Sequence, residues 1–366
     1  MKRLQSGLSV LLALLIALPF FPGTTAAAQD TDQNVPDYSG RSDSFARYAA
    51  AIADRPAADT TISLNAADAV LSPTLSEKLE GDSAVRVETG GYVEWTFSAD
   101  KSGVYEIGLS YLASAGKGQK PQITLTFDGS VPYTEASHYE LSRVYRDAGP
   151  IEKNAKGDDL IPEQVEVERW QDRPLLDTAG LSGRNLCLYL EEGAHTLRLA
   201  CESESLYVRS LSLSPGTTVS SDAEKAASYQ QNGYQSVEGF LKIYQAEKTL
   251  EKSDVVLYPT YDRTSPATIP YDPVRIRRNT IGKGNWSEPG MWISYLIDDI
   301  PSDGLYYITF KFRQADAIGV TTFRNVYVNG SIPSKAYENV SFPYGVDWNQ
   351  KTVVDENGEP CPVYLT

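Results

Sequence analysis

Two histidines, five tryptophans and a few arginines in loop-like surroundings limit the chemistry this sequence could perform. General acid–base or nucleophilic catalysis finds little to work with. The histidines are His138 and His195, and His195 stands at the start of an apolar-alternating run, where a structural role is expected. No Gly-x-Ser-x-Gly elbow, metal-binding His pair or phosphate loop occurs. With 48 acidic residues a carboxylate pair can always be drawn, so composition alone does not argue for a glycoside hydrolase. Sugar recognition is better supplied, because it needs apolar faces for pyranose stacking and a few planar polar groups for hydroxyls. Trp286 lies in NTIGKGNWSEPG among Gly and Pro, Trp348 in YGVDWNQ, and Trp170 after a polar, Pro-containing segment. Trp95 and Trp292 alternate with apolar neighbours and read as core. Arg143, Arg146 and Arg324 are candidate donors, although exposed arginines in ion pairs are the commoner case.

These residues sit in a chain of 366 residues, long enough for two or three domains. Tyr at 23 against Met at 2 biases it toward strands. A net charge of −15 and a pI near 4.7 exclude nucleic acid and anionic membrane surfaces as partners, since no basic stripe is present. Lys2 and Arg3 precede an apolar run from Leu8 to Phe21, and Ala26, Ala27 and Ala28 follow at signal-peptidase spacing. Residues 1–28 are therefore read as a secretory signal whose core is too short for a membrane anchor. No Cys near the cut offers a lipid attachment point. A secreted, extracellular or cell-surface protein, with no membrane insertion after signal removal, is expected. Residues 29–58 read as a flexible leader and a short helix.

An internal duplication organises the remainder. SGVYEIGLSYLASAGKGQKPQITLTFDGSVP aligns without a gap to DGLYYITFKFRQADAIGVTTFRNVYVNGSIP, placing Gly103, Tyr105, Ile107, Gly129 and Pro132 each 201 residues before an identical residue. GGYVEWTF and GMWISYLI extend the match upstream at a separation of 200. Alternating runs such as VEWTF, ITLTF and LYYITFKF, broken by Asp128-Gly129 and Asn329-Gly330, predict antiparallel β-sandwiches with tight turns. Helices are predicted at 43–53, ended by Pro56, and at 222–231. The expected division is a first β module at 59–215, a linker at 216–239 and a second module at 240–366. LCLYLEEGAHTLRLAC reads as a strand, a turn at Glu192-Gly193 and a returning strand. Alternation then puts Cys187 and Cys201 on opposite faces, against a disulfide.

The stretches DGSVPYTEASHYELSRVYRD, GDDLIPEQVEVERW and LYLEEGAHTLRL, followed by YQAEKTL, DRTSPATIP, NTIGKGNW, PGMWISY and FRNVYVNGSIP, resemble the tandem galactose-binding-like modules of bacterial extracellular solute-binding proteins of ABC transporters. The resemblance covers most of the chain after Ser42 and implies an all-β fold of two tandem jelly-roll sandwiches of the carbohydrate-binding-module type. It implies an oligo- or polysaccharide partner and, through a solute-binding domain that this chain lacks, an ABC transporter permease. Where the family tends to carry an Asn, an acidic residue and an Arg, this sequence has Asp158, Asp159 and Ile161 and so lacks the Arg, while Gln164, Glu166 and Trp170 remain as possible ligand contacts. Such modules often hold a structural Ca²⁺ through an acidic residue near the first strand. Glu247 in Tyr-Gln-Ala-Glu and Asp68 in Asn-Ala-Ala-Asp are the candidates implied.

Aligning Leu188, Tyr189 and Leu190 with Val363, Tyr364 and Leu365 leaves the second module without counterparts of GAHTLRLACESESLYVRSLSLS, about two strands. A truncated second sandwich, in an N-terminal fragment of a longer protein, is the expectation. Three functions stay open. A noncatalytic extracellular carbohydrate-binding protein, accessory to sugar capture or import, is preferred over a structural or adhesive surface module without a small ligand, and a hydrolase comes last.

Overall fold

A computed structural model describes residues 43–79, 83–114, 116, 118–177, 184–315 and 318–366, with the backbone of a two-residue strand at Leu14–Leu15. The signal-peptide and leader readings otherwise lie outside the described residues. The fold is all-β and antiparallel apart from two short α-helices and isolated 3-10 turns. Helix Phe45–Ala51 starts where the Ser44 hydroxyl accepts a hydrogen bond from the Arg47 amide. Helix Asp222–Gln231 opens on a capping box between Ser221 and Glu224. The chain gathers into two compact units, one of Phe20–Arg143 with Glu168–Thr217, the other of Met1–Pro19, Val144–Val167 and Thr218–Thr366. The stretch 59–215, expected as one module, thus contributes its segment 144–167 to the other unit.

In the first unit two sheets enclose one core. Strands Val70–Leu71, Tyr92–Ala99, Gly193–Ser203, Gln122–Phe127 and Tyr139–Glu140 lie side by side in that order. The facing sheet is built on Gly103–Ala113 and Leu206–Ser214, which pair along most of their length. Alternation sends Trp95, Ile123, Leu125, Leu197 and Leu199 inward from one sheet, where they meet Tyr105, Ile107, Leu109, Leu211 and Leu213 from the other. The expected hairpin across Glu192-Gly193 is not formed. Cys187–Leu190 pairs with Gly103–Glu106 in one sheet, while Gly193–Ser203 lies between two strands of the other. Both arrangements point the same leucines at the core, so alternation could not tell a hairpin from a crossing between sheets. Cys187, Cys201 and Cys361 are all free.

The duplication governs pairing as well as residue type. Tyr105 lies opposite Leu188 and Tyr306 opposite Val363, so the alignment of the final strand with 188–190 holds in register. Both Asp128-Gly129 and Asn329-Gly330 take positive φ, at 45° and 80° and at 49° and 84°, as the tight turns require. Between Tyr139/Val340 and Gln171/Asn349 the offset between equivalents falls from 201 to 178. The first repeat therefore carries 23 additional residues there, and they fall in the segment 144–167 that groups with the second unit. Within that unit Gln164–Glu166, Tyr145–Asp147, Glu251–Lys252 and Ile293–Ser294 form one four-stranded sheet. No strand of the second unit corresponds to Gly193–Ser203 or Leu206–Ser214 among the described residues. Among the described residues, apart from an isolated bridge from Ser236 to Leu305, no named strand other than Pro362–Leu365 and Gly345–Thr352 pairs with Gly304–Tyr307 and Thr309–Gln314.

Candidate ligand-binding surface

Strands Thr309–Gln314 and Gly345–Thr352 pair antiparallel, Phe310 and Phe312 pointing inward and Lys311 and Arg313 outward. Trp348 is half-buried on the second of these strands, and its Nε1 donates to Asp262 Oδ2 at 3.0 Å. Arg313 Nη1 donates to the same oxygen at 2.7 Å and to Thr264 Oγ1 at 2.7 Å. Asp262 is 6% exposed, and its Oδ1 accepts from both the amide and the hydroxyl of Thr264, each at 2.7 Å. Burial alone would raise the Asp262 pKa, but these Thr264 bonds, the Trp348 donor and the Arg313 charge outweigh it and hold the group below its ordinary value. Asn279 locks the loop beneath by accepting from the Asp262 amide at 2.8 Å and donating to the carbonyls of Asp262 and Pro270. Nε and Nη2 of Arg313 make no hydrogen bond among the described residues, and the side chain is 28% exposed. A buried, fully engaged carboxylate thus fixes an indole and a guanidinium side by side, with donors left over for a ligand.

The other residues predicted from sequence meet different fates. Trp286 is 0% exposed, packed in the core with Leu257, Ile281, Met291 and Trp292, and its Nε1 donates to the Met291 carbonyl. Arg324 is equally buried, with its guanidinium carbon 4.8 Å from the Trp286 ring centroid. Neither presents a face to a sugar. Gly and Pro around Trp286 mark an irregular backbone rather than exposure, and Arg324 stands at the repeat position of the core residue Ile123. Burial lowers the Arg324 pKa to about 9. Arg143 is also buried: Nε donates to the Gln119 carbonyl at 2.6 Å and Nη1 to the Ser114 carbonyl at 2.8 Å, so it ties down a loop. Trp170 is half-buried with Arg209 over its ring at 3.9 Å. Gln164 donates to Asp147 and to the Pro162 carbonyl, and Glu166 pairs in register with Tyr145. Both belong to the second unit, whereas Trp170 and Arg143 belong to the first. Arg146 is exposed on Tyr145–Asp147.

The two carboxylates proposed for calcium are not counterparts. Val70 pairs with Glu94 as Glu251 does with Ser294, and Trp95 Nε1 donates to the Asn65 carbonyl as Tyr295 Oη donates to that of Ala246. The equivalent of Glu247 is therefore Ala66. Asp68 is exposed and meets Asn65 at 3.4 Å, which does not fit a cation. Glu247 fits better: it is 2% exposed, and its Oε2 and the Thr249 hydroxyl are buried without hydrogen-bond partners. Burial pushes its pKa up to about 7. Among the described residues no three His, Cys, Asp or Glu side chains cluster as metal ligands, so a cation there would rely on one carboxylate and neutral oxygens. At that depth Glu247 is out of reach of a substrate needing a general acid. His195 is a structural residue, bonded to Asp128 Oδ2 and the Glu191 carbonyl at 2.8 Å each and stacked on Phe127.

Sequence reasoning missed Asp262 and Arg313. Asp262 and Thr264 have the spacing of a side-chain-capped turn in DRTSPATIP, and Arg313 occupies an outward position of a strand. Nothing in the sequence joins positions 51 residues apart.

No family model matches the chain, and no curated protein sequence matches it. Solved structures similar to part of it include a GH26-CBM35 β-(1,4)-mannanase from Podospora anserina, at 11% identity over 48% of this chain with a TM-score of 0.27. That match spans 35% of the mannanase. A family 35 carbohydrate-binding module from Clostridium thermocellum matches at 16% identity over 42% of this chain and 97% of its own, with a TM-score of 0.22. The CBM35 of Cellvibrio japonicus Abf62 matches at 16% identity over 43% of this chain and 95% of its own, with a TM-score of 0.24. No helix among the described residues is long and apolar enough to cross a membrane.

Proposed function

We propose that this protein is a noncatalytic, extracellular carbohydrate-binding protein that engages an oligo- or polysaccharide at the Trp348 surface. The observation supporting this reading is the half-exposed indole held beside Arg313, whose Nε and Nη2 remain available while its Nη1 is fixed by Asp262 and Thr264. The indole supplies an apolar face for a pyranose ring, and the guanidinium fork supplies donors in one plane for adjacent hydroxyls. Trp170 is the corresponding surface aromatic of the first unit, with one face occupied by Arg209. Service to an ABC-type sugar-capture system, with a permease as partner, is a finer reading that rests on sequence resemblance alone. A cation at Glu247, if bound, would neutralise the buried carboxylate and play a structural part. Secretion follows from the N-terminal signal pattern. Screening the protein on a glycan array, beside Trp348→Ala and Arg313→Ala, tests the reading. Binding that both substitutions abolish supports it. Absence of glycan binding together with retention on cell walls would favour the adhesive alternative.

A further inference from the structure

We propose that the Trp348 surface is one end of a longer tract on which the second unit holds the interior of an acidic polysaccharide chain, with Tyr307, Lys311 and Gln350 as further contacts. This inference rests on the carbohydrate reading above and adds to it the charge and the length of the ligand. Along residues 304–314 the side chains of Tyr306, Phe310 and Phe312 are buried, so Tyr307, Thr309, Lys311 and Arg313 stand on the opposite, outward face. Across from them on that face lie Pro362 opposite Tyr307, Thr352 opposite Thr309 and Gln350 opposite Lys311. Trp348 comes next, joined to Arg313 through their shared Asp262 oxygen. At about 3.4 Å per residue, the row from Tyr307 to Arg313 is about 20 Å long. Both of its ends are marked. Beyond Tyr307 the face is covered where Tyr364, opposite Leu305, stacks on Tyr234 with ring centroids 3.7 Å apart. At Arg313 the loop from Asp262 comes in, its Thr264 hydroxyl accepting from Arg313 and its Ala267 carbonyl accepting from Lys311.

The row has an aromatic ring at each end and polar groups between. Tyr307 is 54% exposed and Trp348 is half-buried, while Thr309, Thr352 and the exposed Gln350 present hydroxyl and amide groups at alternate positions. Rings that far apart are beyond the reach of one small sugar, so the ligand that uses both is a chain. The charge on the face selects the kind of chain. Its outward positions 305–313 and 348–352 carry Lys311 and Arg313 and no carboxylate, which makes this end locally cationic in a protein of net charge −15. Asp262 and Thr264 occupy Nη1 of Arg313, so the edge presented to a ligand is Nε with Nη2. Two parallel donors with no acceptor fit the two oxygens of a carboxylate better than a hydroxyl that must also donate. Acidic side chains return only in the turn after Thr352, at Asp355, Glu356 and Glu359, so the carboxylate contact belongs to the Lys311 and Arg313 end. The first repeat has Glu106, Gly108, Ser110 and Leu112 at the corresponding positions and lacks both the cations and the ring.

Polygalacturonate, alginate and hyaluronan, each beside its carboxyl-reduced form, probe the tract by titration calorimetry with the full chain. At least one acidic polymer should bind about tenfold or more tighter than its reduced form, with an affinity that falls as salt is raised. Oligomers of that polymer should gain affinity from dimer to octamer and level off once they span the row. Tyr307→Ala, at an exposed position, should weaken the octamer about tenfold and leave the dimer unchanged. Arg313→Lys keeps a cation for Asp262 but removes the fork, and should bring the acidic and reduced polymers to similar affinity. The series of oligomer lengths needs no variant, so it decides the question even if a substitution disturbs the fold. Reduced polymers that bind as tightly as acidic ones, a dimer that binds as tightly as the octamer, or an octamer indifferent to Tyr307→Ala in a variant of unchanged melting curve would each overturn the proposal. The carbohydrate reading survives any of these if Trp348→Ala still abolishes binding. Failure of every polymer, acidic and reduced, overturns the proposal, and a blank glycan array besides would take the carbohydrate reading with it.

Discussion

Replacing Glu247 by Gln should stabilise the protein at alkaline pH and destabilise it slightly in acid. The carboxyl is 2% exposed, its Oε2 has no hydrogen-bond partner, and burial lifts its pKa from 4.5 to about 7. The folded state therefore binds the Glu247 proton more tightly than the unfolded state does. The contribution of this group is fully favourable below about pH 4.5 and is lost as pH rises through about 7. At about 1.4 kcal/mol for each unit of displacement, the loss approaches about 3 kcal/mol. Gln keeps the volume and carries no charge, so it escapes that loss. Its amide still lacks a partner, which takes back about 1 kcal/mol. The net gain at pH 8 is about 2 kcal/mol, or a melting temperature higher by about 4–8 °C for a unit of this size. Tryptophan fluorescence suits the assay, because Trp286 and Trp292 belong to the buried cluster against which Ala246, the neighbouring residue, packs. Melts of both proteins at pH 5 and pH 8 in excess chelator isolate the term. If the two proteins differ equally at both pH values, the reasoning is refuted. Adding Ca²⁺ at pH 8 should raise the melting temperature of the Glu247 protein and not that of the variant if a cation sits there, because only the native carboxylate would bind it.

Lys252 is fully buried at the position of Leu71 in the first repeat, with its ammonium 2.5 Å from Asp147 Oδ1. Lys252→Leu should cost about 3–5 kcal/mol in urea unfolding by leaving the Asp147 carboxylate without its cation, and adding Asp147→Asn should recover most of it. Trp286→Ala should cost about 3–5 kcal/mol by opening a cavity in a fully buried cluster. A loss below 1 kcal/mol would mean that the indole is not core. Burial raises the thiols of Cys187 to about 11 and of Cys201 to about 12, so a thiol reagent at pH 8 should react slowly with the native protein. All 3 cysteines should react once it is unfolded, and a lower titre would reveal a disulfide.

The strands, the two helices and the positive-φ turns were legible because each is set locally, by alternation of period two, by a capping Ser or by Asp-Gly and Asn-Gly pairs. The duplication was legible because register follows residue type, and the equivalence of Val363 with Leu188 holds in the pairing of each with a repeat tyrosine, Tyr306 and Tyr105. It also held information that loop composition obscured, since the equivalence of Arg324 with Ile123 already places that arginine in a core. The crossing between sheets at Glu192-Gly193 was not legible, because a hairpin and a crossing bury the same leucines. The grouping of 144–167 with the second unit depends on long-range pairing of Tyr145 with Lys252, which no local pattern encodes. The pairing of Asp262 with Arg313 and Trp348 fails for the same reason, since each residue alone looks like an ordinary surface position.

Carbohydrate binding at Trp348 is tested most directly by the indole N–H resonances of the 5 tryptophans, titrated with the best oligosaccharide from the array. The Trp348 resonance should shift saturably, while that of Trp286, buried with its N–H on the Met291 carbonyl, should stay in place. Saturable binding that leaves Trp348 unmoved would contradict the account.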